Sequence, residues 1–131
     1  MKYLNDYTQK AQTKLFELTG SFFAFSQAQF NEAKKTNLDY ADMGSGLFCD
    51  STKTQILIDG LKKINSDGII QDMAENGAEA IIWREFANYE CQIGMNFEDA
   101  TNALKDYPIS LAEIKAQWKP YFDNCVKMDY F

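Results

Sequence analysis

The sequence predicts a mainly α-helical fold: a single compact domain over residues 1–131, with about six or seven helices and a small β-hairpin around residues 38–49. Apolar residues recur at helical spacing through most of the chain. Paired capping signals mark the places where several helices begin. Because 46% of the 131 residues are hydrophobic, the chain is large and apolar enough to bury the core of one domain.

The first third of the chain predicts two helices beside an aromatic cluster. Residues Leu4–Leu18 place apolar side chains at helical intervals with lysines on the other side, and Gly20 ends this helix. Ser26 and Gln29 form a capping box for a second helix that runs to about residue 35. The aromatic residues here are predicted to form core, not a platform that stacks a ligand. They are Phe22, Phe23, Phe25 and Phe30.

The helical period fails between Leu38 and Cys49, and a hairpin is predicted there. Residues 38–43 and 47–49 are expected to be short strands, joined by a turn at Gly44-Ser45-Gly46. A phosphate-binding loop is a weaker explanation of the glycines. No lysine follows at the required position, and the neighbouring aspartates would repel a phosphate.

Three helices are predicted between residues 50 and 95. The first begins at a cap formed by Asp50 or Ser51 and ends at residues 65–68, and a short second helix covers residues 69–75 and ends at Gly77. The third is expected to be the longest and central helix, and a helical projection places Arg84 almost opposite its core face. Its apolar positions are Ala78, Ile82, Phe86, Tyr89 and Ile93.

Two more helices complete the prediction. Asn96 is expected to cap a helix that starts at Phe97 and closes before Pro108. Ser110 and Glu113 form a second capping box for the last helix, which Pro120 is expected to break or kink.

Acidic residues are concentrated in one stretch of the chain. Residues 68–100 contain seven carboxylates and one arginine. The net charge of this stretch is therefore −6, which equals that of the whole protein. The seven are Asp72, Glu75, Glu79, Glu85, Glu90, Glu98 and Asp99. The remainder of the chain is balanced in charge.

Composition argues against several functional classes. The chain has no histidine, which removes the commonest general base and the partner of most catalytic triads, and no cofactor or metal site is expected. One arginine and twelve scattered lysines give no basic groove for direct nucleic-acid binding. Cys49, Cys91 and Cys125 are widely spaced and are predicted to be reduced, half-buried thiols. The N-terminus resembles no signal peptide and no apolar run could span a membrane, so a cytoplasmic location is expected.

The acidic stretch also contains the predicted partner-binding site. A helical projection places Glu79, Trp83 and Glu90 along one flank of the central helix, and Glu85 lies on the other flank near Tyr89. Carboxylates in place of phosphates, with aromatic anchors between them, would fit a partner that has a basic groove. The alternative is an acidic face that only keeps the protein soluble. No catalytic residue is predicted.

Six segments of the chain carry a resemblance to a known group of proteins. They are Gly20–Phe25, Gln29–Glu32, Met43–Cys49, Glu75–Gly77, Ile81–Glu85 and Tyr107–Ile109. In this order they resemble a family of small uncharacterised proteins encoded by phages and bacterial mobile elements. The resemblance implies no active site, and many relatives are expected to have histidine at the position of Tyr89, which weakens any catalytic role for that residue.

Small acidic proteins of mobile elements often bind a host defence effector, so the resemblance implies an anti-CRISPR type of inhibitor. The expected partner is an RNA-guided effector. An RNA-targeting nuclease is preferred as the candidate over a DNA-targeting one. Two other functions stay open. A carboxylate-dependent enzyme requires Glu79 or Glu85 to be buried in a pocket. A host-protein adaptor requires an exposed apolar patch, such as Trp118 with Tyr121 and Phe122.

Overall fold

The structure, a computed structural model, describes all residues from Met1 to Phe131. It contains seven α-helices and a three-stranded antiparallel sheet, which confirms the predicted mainly α class. The chain divides into two compact units, residues 2–68 and residues 69–131 with Met1. The single domain over residues 1–131 stays a prediction. None of the helices is both long enough and apolar enough to cross a membrane.

The elements follow one another in a simple order. They are α1 Leu4–Thr19, β1 Phe22–Phe23, α2 Gln27–Ala33, β2 Tyr40–Asp42, β3 Leu47–Asp50, α3 Thr54–Asn76, α4 Ala78–Asn88, α5 Cys91–Gly94, α6 Glu98–Ala103 and α7 Leu111–Met128.

The sheet of the first unit has the strand order β1-β3-β2. Strands β2 and β3 form the predicted hairpin, with Ala41 opposite Cys49, whereas β1 adds a third strand that the sequence did not predict. The turn uses Gly44 and Gly46 at positive φ, which glycine adopts at little cost. The prediction that the aromatic residues form core is only partly confirmed: Phe22 and Phe30 are half-buried in a cluster of rings, whereas Phe23 and Phe25 are 50% and 74% exposed. Ring centroids in the cluster are 4.9–5.9 Å apart. The rings in this cluster are Phe22, Phe30, Tyr40 and Phe48.

Capping signals locate the ends of the first two helices. Gly20 ends α1 in the left-handed conformation, as predicted. The Ser26 hydroxyl accepts a hydrogen bond from the Gln29 N–H (3.2 Å) at the start of α2. The Gln29 side-chain oxygen accepts from the N–H of Phe25 (2.7 Å) and not from that of Ser26, so only the serine half of the predicted box forms.

Helix α3 corrects the prediction of two separate helices. It runs without interruption for 23 residues, and residues 65–68 lie inside it. A Cβ added at Gly68 would lie 2.6 Å from the Thr8 methyl carbon, so this glycine permits close helix packing and does not end the helix. The predicted cap is also wrong: α3 begins at Thr54, after both Asp50 and Ser51, and the Asp50 side chain accepts hydrogen bonds from Thr52 in the turn before the helix.

Helix α4 is shorter than predicted. It ends at Asn88 after 11 residues, so α3 is the longest helix, and Tyr89 and Ile93 lie beyond the end of α4. The chain turns at Glu90, whose φ of 49° is left-handed, and the short helix α5 follows. The predicted start at Asn96 is close, because its side-chain oxygen accepts from the Glu98 N–H (2.8 Å).

The core of the second unit forms around Phe86, which is fully buried. Its ring lies 5.1–5.8 Å from the rings of Phe97, Trp118 and Tyr121. Helix α7 brings two of these rings to the core and continues through Pro120, so of the predicted break or kink the break is not observed. All three cysteines are free, and they are buried rather than half-buried.

We expect Ser110→Ala to lower the free energy of unfolding by about 1 kcal/mol, because the Ser110 hydroxyl accepts the N–H of Glu113 (3.1 Å) at the start of α7. Urea unfolding monitored by circular dichroism measures the change. Ser66→Ala is the matched control, since Ser66 is exposed inside α3 and alanine favours a helix interior. Equal stability of the wild-type protein and Ser110→Ala would contradict the assigned cap.

Candidate protein-interaction surface

A buried ion pair joins α3 to α4 in the second unit. Asp72, in the last turns of α3, is completely inaccessible to solvent, and Arg84 of α4 is 6% exposed. Two parallel hydrogen bonds link them: Arg84 Nη1 donates to Asp72 Oδ1 and Nη2 donates to Oδ2, each over 2.9 Å. The Tyr107 hydroxyl also donates to Oδ2 (2.5 Å), and the Asn76 amide donates to Oδ1 (2.8 Å). Both oxygens of Asp72 are therefore satisfied.

The protonation states of this cluster follow from burial and hydrogen bonding. Burial alone would raise the pKa of Asp72, but hydrogen bonds from Arg84, Tyr107 and Asn76, with the charge of Arg84, outweigh it and lower the pKa below its usual value. Burial, and then the hydrogen bond to Asp72, raises the pKa of the Tyr107 hydroxyl. The cluster therefore holds a carboxylate, a guanidinium and a neutral phenol at neutral pH.

This cluster overturns the predicted positions of Arg84 and Glu85. Arg84 was expected to lie opposite the core but is buried, because its charge pairs with Asp72. Glu85 is only 7% exposed, and its Oε1 accepts a hydrogen bond from Arg84 Nε (3.1 Å). Glu85 is therefore not available on the surface as a partner-binding residue.

Two other predicted residues, Glu79 and Trp83, lie together beside α7. The Trp83 indole N–H donates to Gln117 Oε1, and Gln117 Nε2 donates to Glu79 Oε1, both over 2.9 Å. The Trp83 and Tyr121 rings meet edge to face with centroids 5.4 Å apart. These side chains line a groove of about 570 Å³, which we call the Trp83 groove. Its walls include Glu79, Ala80, Trp83, Ala87, Gln117 and Tyr121.

The last two predicted residues, Tyr89 and Glu90, lie elsewhere. Both are exposed, and they line a separate depression of about 420 Å³ together with Glu98 and Asp99. Because α4 ends at Asn88, Glu90 does not continue the flank that holds Glu79 and Trp83. The structure thus divides the predicted site among the Trp83 groove, this acidic depression and the buried cluster of Arg84. No group of three or more cysteine, aspartate or glutamate side chains is arranged to hold a metal ion.

The exposed charges of residues 68–100 are all negative, although they lie at more than one place on the unit. Five carboxylates of the stretch 68–100 are exposed, and none of them forms a salt bridge. They are Glu75, Glu79, Glu90, Glu98 and Asp99. The only cation of the stretch, Arg84, is occupied by Asp72 and Glu85. The negative charge therefore remains at the surface.

The side chains named for the two other functions can also be located in the structure. Glu79 is exposed and Glu85 is bound to Arg84, so neither carboxyl group is the buried acid of a pocket. The proposed adaptor patch is only partly in the core: Tyr121 is buried, whereas Trp118, which packs against Phe86, and Phe122 are half-buried.

Sequence reasoning missed the residues that support the site. Asp72 and Tyr107 hold Arg84, and Gln117 connects Trp83 to Glu79. Gln92 is buried and accepts a hydrogen bond from the Tyr121 hydroxyl (2.8 Å). One signal was present: the lone arginine of the acidic stretch lies in a helix rich in apolar residues, and such an arginine is a candidate for a buried pair. The two glutamines give no comparable signal.

Comparison with known proteins gives a family for nearly the whole chain. Residues 4–123 match a family described as a family of unknown function, DUF7659. The chain belongs to DUF7659. A search of curated proteins found no match to the chain, and neither did a search of solved structures. The matched residues of this DUF7659 protein include the buried cluster and the predicted site residues, and nothing in the match indicates enzymatic activity.

We expect Arg84→Met in the DUF7659 protein to lower the free energy of unfolding by about 3–5 kcal/mol, because it leaves Asp72 buried without its countercharge. Lys119→Met is the matched control, since it breaks an exposed pair with Asp123 and should cost about 0.5 kcal/mol or less. Chemical unfolding of both variants measures the two losses. Losses of equal size would contradict the importance of the buried pair.

The lowered pKa of Asp72 predicts a specific acid sensitivity. A carboxyl group whose pKa is lower in the folded state stabilises the fold above its unfolded pKa of about 3.9, and that contribution is lost as the pH falls through the folded pKa. The stability difference between the wild-type DUF7659 protein and Asp72→Asn should therefore be largest near neutral pH and shrink below about pH 4. Urea unfolding at a series of pH values measures it. A difference that does not change with pH would contradict the assignment.

Proposed function

We propose that this DUF7659 protein is a small acidic interaction protein that binds a basic surface of a partner protein. One observation carries the proposal: five exposed carboxylates of residues 68–100 form no salt bridge, while the only cation of that stretch is buried. In a face that serves solubility alone, both signs of charge are commonly interspersed. A surface of one sign attracts a partner of the opposite sign.

The physical basis is electrostatic steering followed by contact. A surface of one sign raises the rate of encounter with an oppositely charged groove, and the effect weakens with salt because the Debye length is about 8 Å at physiological ionic strength. The Trp83 groove adds aromatic and apolar surface next to Glu79, and a contact of this kind can hold the partner after encounter. Binding should therefore depend on both salt and the local position of the carboxylates.

The proposed partner is an RNA-guided CRISPR effector, and the proposed activity is inhibition by occupation of its basic RNA-holding surface. This choice rests on the resemblance to proteins of mobile elements and on the acidic charge of residues 68–100. A protein that blocks such an effector would act in the cytoplasm. An RNA-targeting nuclease is the first candidate, and DNA-targeting nucleases are the second.

We expect Glu79→Lys combined with Glu90→Lys to abolish capture of the effector. The measurement is an affinity capture of purified CRISPR effectors on the immobilised protein at low and moderate salt. Glu17→Lys with Glu32→Lys is the matched control, because it makes the same change in net charge at exposed carboxylates outside the acidic stretch. Circular dichroism verifies that both variants remain folded.

The outcomes separate three explanations. Capture that only the Glu79/Glu90 reversal removes supports binding through the acidic stretch. Equal loss in both reversals means that net charge alone is responsible, which contradicts a defined surface. Capture that survives the Glu79/Glu90 reversal with unchanged salt dependence contradicts the mechanism, and capture of no effector contradicts the proposed partner.

A further inference from the structure

We infer that the Trp83 groove is a specific subsite for one basic side chain of the partner, and for arginine in preference to lysine. This inference rests on the proposed function, because it specifies what a basic partner would insert beside α4. It assigns one defined contact to a surface that the proposed function describes only by its charge.

The aromatic walls of the groove suit a flat cation. The planes of Trp83 and Tyr121 are 86° apart and their centroids are separated by 5.4 Å, so the rings form a T. Each corner of a T is bounded by one face of each ring. Aromatic faces carry the negative part of the ring quadrupole and attract cations, most strongly for tryptophan. Both rings line the groove. Because Tyr121 is only 5% exposed and Trp83 is half-buried, a guanidinium in this corner would stack on the face of Trp83 and meet only the exposed margin of Tyr121.

The charge of the groove also favours a cation. Glu79 is exposed at its edge, and only its Oε1 accepts the hydrogen bond from Gln117, which leaves Oε2 for an N–H donor of the partner. Arg84 lines the groove as well, but its guanidinium pairs with Asp72 and Glu85. The two carboxylates that hold Arg84 compensate its charge, so Glu79 gives the groove its negative sign.

The groove is held in place before any partner arrives. Gln117 binds both Trp83 and Glu79, and the hydroxyl of Tyr121 donates to the buried Gln92. A side chain that is already fixed loses little entropy when a ligand binds, so a preorganised site binds more tightly than a mobile one. The same hydrogen bonds occupy the indole N–H of Trp83, so the ring is left to bind through its face.

Arginine fits these features better than lysine. Its guanidinium is flat, stacks on aromatic rings and is less strongly hydrated than an ammonium group. It can also donate to a carboxylate while it remains stacked. The small side chains of Ala80 and Ala87 leave apolar space along the groove for the methylene stem.

An NMR titration of the full chain tests the subsite. The probe is a capped Gly-Arg-Gly peptide, and the signal is the indole N–H of Trp83, distinguished from that of Trp118 by its absence in Trp83→Phe. We expect the Trp83 signal to shift in a saturable manner with Gly-Arg-Gly, less with Gly-Lys-Gly and not with Gly-Glu-Gly. No shift with Gly-Arg-Gly, or an equal shift with Gly-Glu-Gly, would overturn the inference, and equal affinity for the lysine peptide would overturn the preference for arginine.

Variants assign the charge contribution to Glu79. Glu79→Gln should weaken binding of Gly-Arg-Gly about threefold, since it removes the charge but can still accept the hydrogen bond from Gln117. Glu98→Gln, which makes the same change at the acidic depression, should leave the affinity unchanged. Equal effects of the two variants would refute the local site. The two proposals can fail separately. If the protein captures an effector in a charge-dependent way but its Trp83 signal never shifts, only this subsite is contradicted. If the peptide binds at the Trp83 groove but no effector is captured, only the proposed function is contradicted.

Discussion

The bidentate ion pair between Asp72 and Arg84 constrains most of the second unit. A charge buried to this degree is tolerated only with its partner in place, so the last turns of α3 must face the middle of α4. Tyr107 donates to the same carboxylate and brings the segment before α7 to this point. With Arg84 turned inward, the rotation of α4 is fixed: Phe86 enters the core, and Trp83 meets the side chains of α7. The Trp83 groove therefore depends on a buried cluster, of which Asp72 and Tyr107 lie outside the groove itself.

Local signals were sufficient for much of the fold. Gly20 and Ser110 act within a turn of the backbone, so their roles could be identified from the sequence and agree with the structure. The continuity of α3 could not be identified in this way, because Gly68 is explained by the close approach of Thr8, a residue 60 positions earlier in the sequence. A glycine that permits packing and a glycine that ends a helix are the same letter in a sequence. Only tertiary contacts distinguish them.

The candidate site shows the same division between local and distant information. Glu79 and Trp83 are four positions apart on one helix, so the projection correctly placed them side by side. The projection failed for Glu90, because it assumed that α4 continued past Asn88. It failed for Glu85 and Arg84 because a helical projection contains no information about Asp72 on another helix. The roles of Gln92 and Gln117, which hold the groove in place, could not be predicted from the sequence, because each role depends on the donors and acceptors that the fold brings to the side chain.

The buried pair also determines the electrostatics of the surface. If Arg84 were exposed, it would place a positive charge among the carboxylates of residues 68–100 and weaken their common field. Its burial with Asp72 and Glu85 withdraws one cation and two carboxylates together, so that the exposed charges of this stretch are all negative. The arginine that stabilises the core is therefore also the reason why the stretch presents a single sign to solvent. Stability and surface charge are linked through one residue, and a substitution at Arg84 would change both. Substitutions at Glu79 and Glu90, which lie outside the buried cluster, change the surface charge without removing a member of the ion pair.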